Sequence, residues 1–310
     1  MSLPLEREGA HDAQPAYLLL GARGQVGREL SRSLQLLGPG VALGRDECDL
    51  ARPGAADEII RRLKPRVVVN AAAWTAVDRA EEEIEAARRL NAGAVGEMAR
   101  ACAALDTPLV HYSTDYVFEG SGERPHAIDA PLAPRSVYGR TKLEGERLIV
   151  EAGARALVLR TSWVYAAHGA NFVRTMLKVG RERDRLRVID DQVGAPTWAA
   201  TIADTTALLL HDWRRRGWTA EGAGPLHLSA AGAVSWHGFA QAIFEEAVAL
   251  GLMRDDEVPH VEAIPSSDWP QPAPRPKNSR LDIAPLEKRL EARLPPWRDA
   301  LRECLRAMVP

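Results

Sequence analysis

Cysteine is scarce. The three present, Cys48, Cys102 and Cys304, stand far apart with no C-x-x-C pair, which argues against a disulfide framework or a metal knuckle. The eight histidines contain no H-E-x-x-H spacing, so the commonest hydrolytic zinc site is excluded. No apolar run approaches the roughly 18 residues of a membrane span, and the first residues lack the apolar core of a signal peptide. An excess of one charge is also missing. Lys and Arg number 40 against 42 Asp and Glu, a net charge of −2, which gives no electrostatic reason to expect nucleic acid or a membrane as partner. A reducing, cytoplasmic setting is expected, with Met1 to Ala16 a polar, mobile extension. What is present is ordinary for a globular core: 46% hydrophobic and 26% charged residues. A length of 310 residues favours one large domain with a smaller one appended.

The order strand, glycine turn, helix appears at once. Tyr17-Leu18-Leu19-Leu20 runs into Gly21-Ala-Arg-Gly24-Gln25-Val26-Gly27, and Val26, Leu30, Leu34 and Leu37 follow at helical spacing. Glycine permits a tight turn, close approach of backbone N–H groups to a pyrophosphate, and packing of helix on strand. The G-x-x-G-x-x-G spacing departs from G-x-G-x-x-G, yet its setting favours nucleotide binding over a merely flexible turn. A second strand, Val41 to Leu43, ends at Gly44-Arg45-Asp46. An arginine there accommodates a 2′-phosphate and an acid holds a ribose 2′-hydroxyl, so Arg45 leans the reading to NADPH while Asp46 keeps NADH open. Arg45 reads equally as a solvated loop charge. Asp49 and Leu50 are placed to bracket an adenine.

Val67-Val68-Val69 has the β-branched character of a buried parallel strand and leads into Asn70-Ala71-Ala72-Ala73-Trp74-Thr75, whose small residues let a cofactor approach. A helix from about Glu81 to Leu105 and a strand at Leu109 to Tyr112 continue the rhythm. This alternation specifies an α/β, Rossmann-like doubly wound parallel sheet with its ligand site at the carboxyl ends of the strands. Ser113 and Thr114 follow the fourth strand, either capping a turn or offering a hydroxyl to a substrate carbonyl. Tyr138 and Lys142, four apart, share one face of the next helix. An ammonium beside a phenol pulls its pKa from about 10 toward the working pH, which suits proton transfer. Alone the pair is a common accident; glycine turn, hydroxyl and Tyr/Lys pair in this order are not.

With these residues the chain resembles the extended short-chain dehydrogenase/reductase family, and more narrowly its dTDP-4-dehydrorhamnose reductase branch. The glycine and Tyr/Lys blocks specify only the superfamily. The narrowing blocks are Asn70 to Asp78, His111-Tyr-Ser-Thr-Asp-Tyr-Val-Phe118, Arg160-Thr-Ser-Trp-Val-Tyr165, Asp191-Gln-Val-Gly-Ala-Pro-Thr197 and Arg275-Pro-Lys-Asn-Ser-Arg-Leu281. The resemblance implies a dTDP-linked 4-ketosugar as substrate and NADPH delivering hydride to C4. Tyr138 would donate the proton, Lys142 would hold the nicotinamide ribose and lower the Tyr138 pKa, and Thr114 would stand where many relatives carry serine. Asp115 and Tyr116 join the substrate side, and Trp163 would pack on the deoxysugar unless it is an ordinary core aromatic. Some relatives carry a glutamate-bridged metal at a dimer contact. Glu29 matches one such position, but Ala200 replaces another carboxylate, so no metal is expected and a homodimer stays open.

Beyond Arg160 the βαβ rhythm fades, and residues 17–165 are read as the dinucleotide-binding domain and 166–310 as mainly a nucleotide-sugar lobe, with some segments returning to the first. Asn171 and Phe172 open a helix and are candidates for the diphosphate, Gln192 for the deoxyribose or thymine. A helix at Ala199 to His211, a strand at Leu226 to Leu228 and a helix from Trp236 to Leu250 are assigned to the lobe. Pro259 to Pro276 is read as an ordered irregular loop, with Arg275 and Arg280 as phosphate clamps or solvated charges. Two other readings share the fold: a 4-ketoreductase giving the 4-epimer, and a nucleotide-binding regulatory subunit like that of methionine adenosyltransferase. Retention of Thr114, Tyr138 and Lys142 together argues against the last.

Overall fold

The short apolar runs become neighbours in one parallel sheet. In the computed structural model, which describes residues 14–309, the first five strands are β1 (Leu18–Leu20), β2 (Val41–Leu43), β3 (Val68–Asn70), β4 (Leu109–Thr114) and β5 (Ala156–Thr161). Their spatial order is β2-β1-β3-β4-β5, with Gly224–His227 added beyond β5, and every pairing is parallel. The order of connection reverses between β1 and β3. Loops leaving these two strands therefore diverge and open a crevice at the carboxyl edge.

The helices between these strands are α1 (Gln25–Ser33), α2 (Ala55–Leu63), α3 (Val77–Glu82), α4 (Ile84–Arg88), α5 (Ala94–Ala104) and α6 (Val137–Glu151). After β5 come α7 (Phe172–Gly180), α8 (Ala199–Arg215) and α9 (Trp236–Ala249). Leu19, Val69, Val110, Leu157 and Leu159 pack on one face with Leu30 of α1, Leu34 of the short 3₁₀ turn that follows it, and Ile202 and Leu209 of α8. Leu18, Leu20, Val68, Leu109 and Val158 pack on the other with Ile59 and Ile60 of α2 and Met98 of α5. Burial on both faces is why these strands read as unbroken apolar runs rather than alternating ones. A third cluster around Tyr165, Val173, Phe239, Phe244 and Leu301 forms the core of the smaller lobe. Among the described residues no helix is long and apolar enough to cross a membrane.

Four expectations change. The helix from Glu81 to Leu105 is broken after Glu82, and Arg89–Gly93 is a π-helical turn. The wide turn buries Asn91, whose Oδ1 accepts from the Trp74 N–H at 2.9 Å and whose Nδ2 donates to Thr141 Oγ1 at 3.1 Å, tying the post-β3 loop to α6. The strand placed in the lobe is instead Gly224–His227 on the main sheet, completing the hydrogen bonds of β5, while α8 packs on α1. In the proline-dense stretch, His260–Ile264 is a strand parallel to Arg185–Ile189. Pro259 and Pro265 stand just outside it, where no ladder N–H is required. Of the Met1 to Ala16 extension, residues 1–13 lie outside the described residues. Gln14 to Ala16 are tied down: the Pro15 carbonyl accepts from the Arg66 N–H at 2.9 Å and the Ala16 N–H donates to the Pro39 carbonyl at 2.7 Å.

Candidate active site

A cleft of about 670 Å³ opens over the β1/β3 crossover. Gly21 sits at its floor with φ of +81°, and a Cβ there would lie 2.5 Å from the Ala72 nitrogen. Only glycine lets the turn after β1 come this close to the end of β3. Gly24, Gln25, Val26, Arg45, Asp49, Leu50, Ala71, Ala72, Ala73 and Thr75 all line the cleft. Gly27 does not. A Cβ at Gly27 would overlap the Gly21 carbonyl, so this glycine seats α1 against the turn instead.

Arg23 was passed over in the sequence as a variable position of the glycine turn, yet it lines the cleft beside Arg45. Its guanidinium bonds Asp46 and Glu47, each at 2.5 Å, and its stem covers Gly44. Arg45 is mostly exposed, its Nε 3.6 Å from Asp49. Two guanidinium groups thus stand past the end of β2. The sequence signal was there, an arginine next to the turn glycine, but its direction was not.

The opposite wall carries the Tyr/Lys pair. Ser136 caps α6 by accepting from the Gly139 N–H at 3.1 Å, and Glu81 accepts from the Val137 N–H at 2.8 Å. These caps fix the first turn and place Tyr138 and Lys142 on the cleft. Lys142 is almost wholly buried, and burial brings its ammonium down to about 8. Its Nζ donates to the Tyr112 carbonyl at 2.6 Å and lies 3.1 Å from His111 Nε2. Burial pushes the Tyr138 phenol up to about 12, offset by hydrogen bonding with Thr114. This corrects the expectation that Lys142 would lower it. The amine is held by β4, and desolvation of the phenolate, with the Asp115 charge in the same sense, outweighs the Thr114 hydrogen bond. A phenol that keeps its proton is suited to act as an acid.

Thr114 lies beside Tyr138 and caps a turn, with its hydroxyl proton turned to Asp115. Its Oγ1 accepts from the Tyr116 N–H at 3.2 Å, capping a short turn, and donates to Asp115 Oδ1 at 2.9 Å. Asp115 is buried, which pushes its carboxyl up to about 6 while Ser279 and Thr114 draw it down, and its Oδ2 has no partner within hydrogen-bond geometry among the described residues. Ser113 Oγ and Thr161 Oγ1, also on the cleft, are likewise unpartnered. Orphaned buried oxygens of this kind call for a polar ligand. Tyr116 sets its ring edge-on to Tyr138, centroids 5.4 Å apart. Trp163 lines the cleft with φ of +49°, its indole stacked on Trp236 of α9 at 3.6 Å. A left-handed tryptophan is strained, and such strain gathers at ligand sites.

The remaining candidates divide. Asn171 lines the cleft, but its side chain caps α7 through the Arg174 N–H at 3.1 Å and donates to Gln25 Oε1 at 3.0 Å. It clasps the lobe to the glycine turn rather than offering a free amide. Phe172 is packed among Trp236 and Phe239. Gln192 is buried away from the cleft wall, as the strand it precedes, Val193–Gly194, pairs on both sides. Arg275 and Arg280 do not line the cleft either. Arg275 is paired with Asp78 at 2.7 Å, and Arg280 donates to the Glu123 carbonyl at 3.0 Å. Glu29 lies on α1 with His168 Nε2 3.0 Å away.

The family model described as RmlD substrate binding domain matches residues 16–309. A Burkholderia thailandensis protein named dTDP-4-dehydrorhamnose reductase is 46% identical over 94% of this chain and 98% of its own length. Among solved structures, the dTDP-4-dehydrorhamnose reductase of Clostridium acetobutylicum is 31% identical with a TM-score of 0.85, covering 94% of this chain and 99% of the other. That of Bacillus anthracis, in complex with NADP, is 28% identical with a TM-score of 0.85, covering 95% and 100%.

Proposed function

Because the chain belongs to the RmlD substrate-binding-domain family, whose model spans the whole described fold, we propose that it reduces the C4 ketone of dTDP-4-dehydro-L-rhamnose with NADPH to give dTDP-L-rhamnose. The observation that carries this reading is one cleft lined at one end by the Gly21 turn and at the other by Thr114, Tyr138 and Lys142. The close approach of Gly21 to Ala72 leaves backbone where a pyrophosphate needs it, so the residues present fit the cofactor.

When bound, NADPH supplies the hydride for the sugar C4. Tyr138, whose phenol holds its proton well above neutral pH, donates that proton to the carbonyl oxygen as charge develops there. Lys142 places positive charge next to the phenolate this leaves and favours it. Thr114 stands at the Tyr138 oxygen and favours its anionic form, drawing the phenol down against the effect of burial. Trp163, braced by Trp236, offers a flat apolar wall to the deoxysugar. The test is NADPH oxidation with dTDP-4-dehydro-L-rhamnose, the product identified by NMR; no turnover sinks the reading, and a talose-configured product replaces it with the 4-epimer.

Cofactor preference gives a separable prediction. If Arg45 and Arg23 hold a 2′-phosphate, Arg45→Ala weakens NADPH by about 10-fold and spares NADH, the loss of one exposed charge-assisted contact. Arg23→Ala has the same sign and also frees Asp46 and Glu47, which repel the phosphate. Equal loss for both nucleotides, measured by fluorescence titration, assigns neither arginine to the phosphate.

A further inference from the structure

His111 reads in the sequence as one more residue of the fourth strand. In the structure it is fully buried between two polar side chains, Asn70 of β3 and Lys142 of α6. The hydrogen bonds have a direction, and it can be followed from the cofactor wall inward. The Ala72 N–H donates to Asn70 Oδ1 at 3.0 Å. A backbone N–H is only a donor, so the oxygen of the Asn70 amide must face Ala72 and its Nδ2 must face His111. Nδ2 is likewise only a donor, and it lies 3.0 Å from His111 Nδ1. Nδ1 therefore accepts, and a neutral imidazole then carries its proton on Nε2. That N–H points at Lys142 Nζ, 3.1 Å away. An ammonium has no lone pair to receive it, whereas a neutral amine does. The amine retains two N–H groups, one of which goes to the Tyr112 carbonyl.

We propose that His111 is a positioning residue, held by Asn70 as the Nε2–H tautomer, that stabilises Lys142 as a neutral amine and so makes its ammonium an easily lost proton. The proposal rests on the reading of Tyr138 and Lys142 given above. Protonating Lys142 reverses the chain: Nζ–H must donate to Nε2, the imidazole must carry its proton on Nδ1, and Asn70 must turn, leaving the Ala72 N–H without its acceptor. Each reversal opposes the charged form. Burial acts in the same sense, lowering Lys142 and holding His111 neutral, well below its ordinary pKa. Among the described residues, the other titratable groups facing Lys142 are on its own helix. Tyr138 is neutral, and Glu146 favours the ammonium but is paired with Arg160 of β5 at 2.7 Å. The β5 neighbour of His111 is Val158, which has no polar side-chain atom.

The array makes activity and imidazole tautomer titrate together. Lys142 is the ammonium below about 8 and the amine above it, so kcat for reduction falls as pH rises through that value. The test is ¹⁵N NMR of histidine-labelled, full-length protein from pH 6 to 9.5, the His111 signals assigned by their loss in His111→Gln. The expected result is an Nε2–H tautomer at the alkaline end, converting to Nδ1–H with a midpoint near 8 and no imidazolium in between. An Nδ1–H tautomer across the whole range overturns the proposal, as does protonation of His111 near its ordinary value. Asn70→Asp supplies the second measurement. A carboxylate accepts on both sides, so it imposes the Nδ1–H tautomer, and the alkaline limb of kcat moves up by about one pH unit; an unmoved limb in a variant whose NMR shows Nδ1–H also overturns the proposal. The tautomer readout needs no turnover, so failure of the array and failure of the proposed reaction are distinguishable.

Discussion

Tyr138→Phe lowers kcat for ketone reduction by about 10²-fold or more, the scale of losing a general acid, and leaves NADPH affinity nearly unchanged. The phenol is pushed up to about 12 by burial and sits on the cleft beside Thr114. Phenylalanine keeps the ring and its edge contact with Tyr116. What it removes is the proton and its aim. KM for the sugar should change little, because loss of an interaction made only in the transition state lowers kcat and kcat/KM together. Stopped-flow measurement of NADPH oxidation at saturating sugar checks this. An unchanged rate excludes Tyr138 from the mechanism; loss of NADPH binding makes it a structural residue.

Lys142→Met separates charge from packing in the same site. It preserves the buried stem and removes the group between His111 and the Tyr112 carbonyl, so kcat falls with Tyr138 still protonated. The fall is smaller than for Tyr138→Phe, since the acid itself remains.

The sheet was legible wherever sequence order and spatial order agree. Leu18 to Leu20, Val68 to Asn70 and Leu109 to Thr114 are buried throughout, and each overlaps the run that marked it: Tyr17 to Leu20, Val67 to Val69 and Leu109 to Tyr112. The sixth strand was legible as a strand, at Leu226 to Leu228, but not in its place. Gly224–His227 returns to β5 after more than sixty residues outside the sheet, and nothing in its four residues distinguishes one sheet edge from another. Local breaks were equally hidden: the π turn at Arg89–Gly93 is set by what Asn91 bonds on other elements, not by a local breaker.

The cleft divides along the same line. Residues on strand ends and first turns, Gly21, Gly24, Gln25 and Val26 after β1 and Ala71, Ala72, Ala73 and Thr75 after β3, were readable because the crossover fixes their position. Arg275 and Arg280 were not, since a guanidinium pairs with the nearest anion or carbonyl and these found Asp78 and the Glu123 carbonyl. Nor was the sign of the Tyr138 shift. Spacing tells that Lys142 is near, but not that its amine is turned to β4. His111 gave no signal, for its partners are 41 and 31 residues away.

Arg160→Met destabilises the fold by about 3–5 kcal/mol, through the partner it abandons rather than the contact it loses. Arg160 and Glu146 form a two-point pair, Nη2 to Oε2 at 2.7 Å and Nε to Oε1 at 3.1 Å, with both side chains over nine-tenths buried. The guanidinium also donates to the Ile128 carbonyl at 3.2 Å and lies 5.2 Å from the centre of the Phe118 ring. Methionine fills most of that volume but leaves the Glu146 carboxylate buried without its cation. The nearest relief is protonation or a turn toward Lys142, one helical turn away, and either costs stability. The double variant Arg160→Met/Glu146→Leu removes both charges and should recover most of the loss, because a buried pair replaced by apolar side chains of similar volume is close to neutral. Urea unfolding of the two variants decides between the causes. Equal losses in both assign the cost to the Ile128 and Phe118 contacts, whereas recovery in the double variant assigns it to the stranded carboxylate.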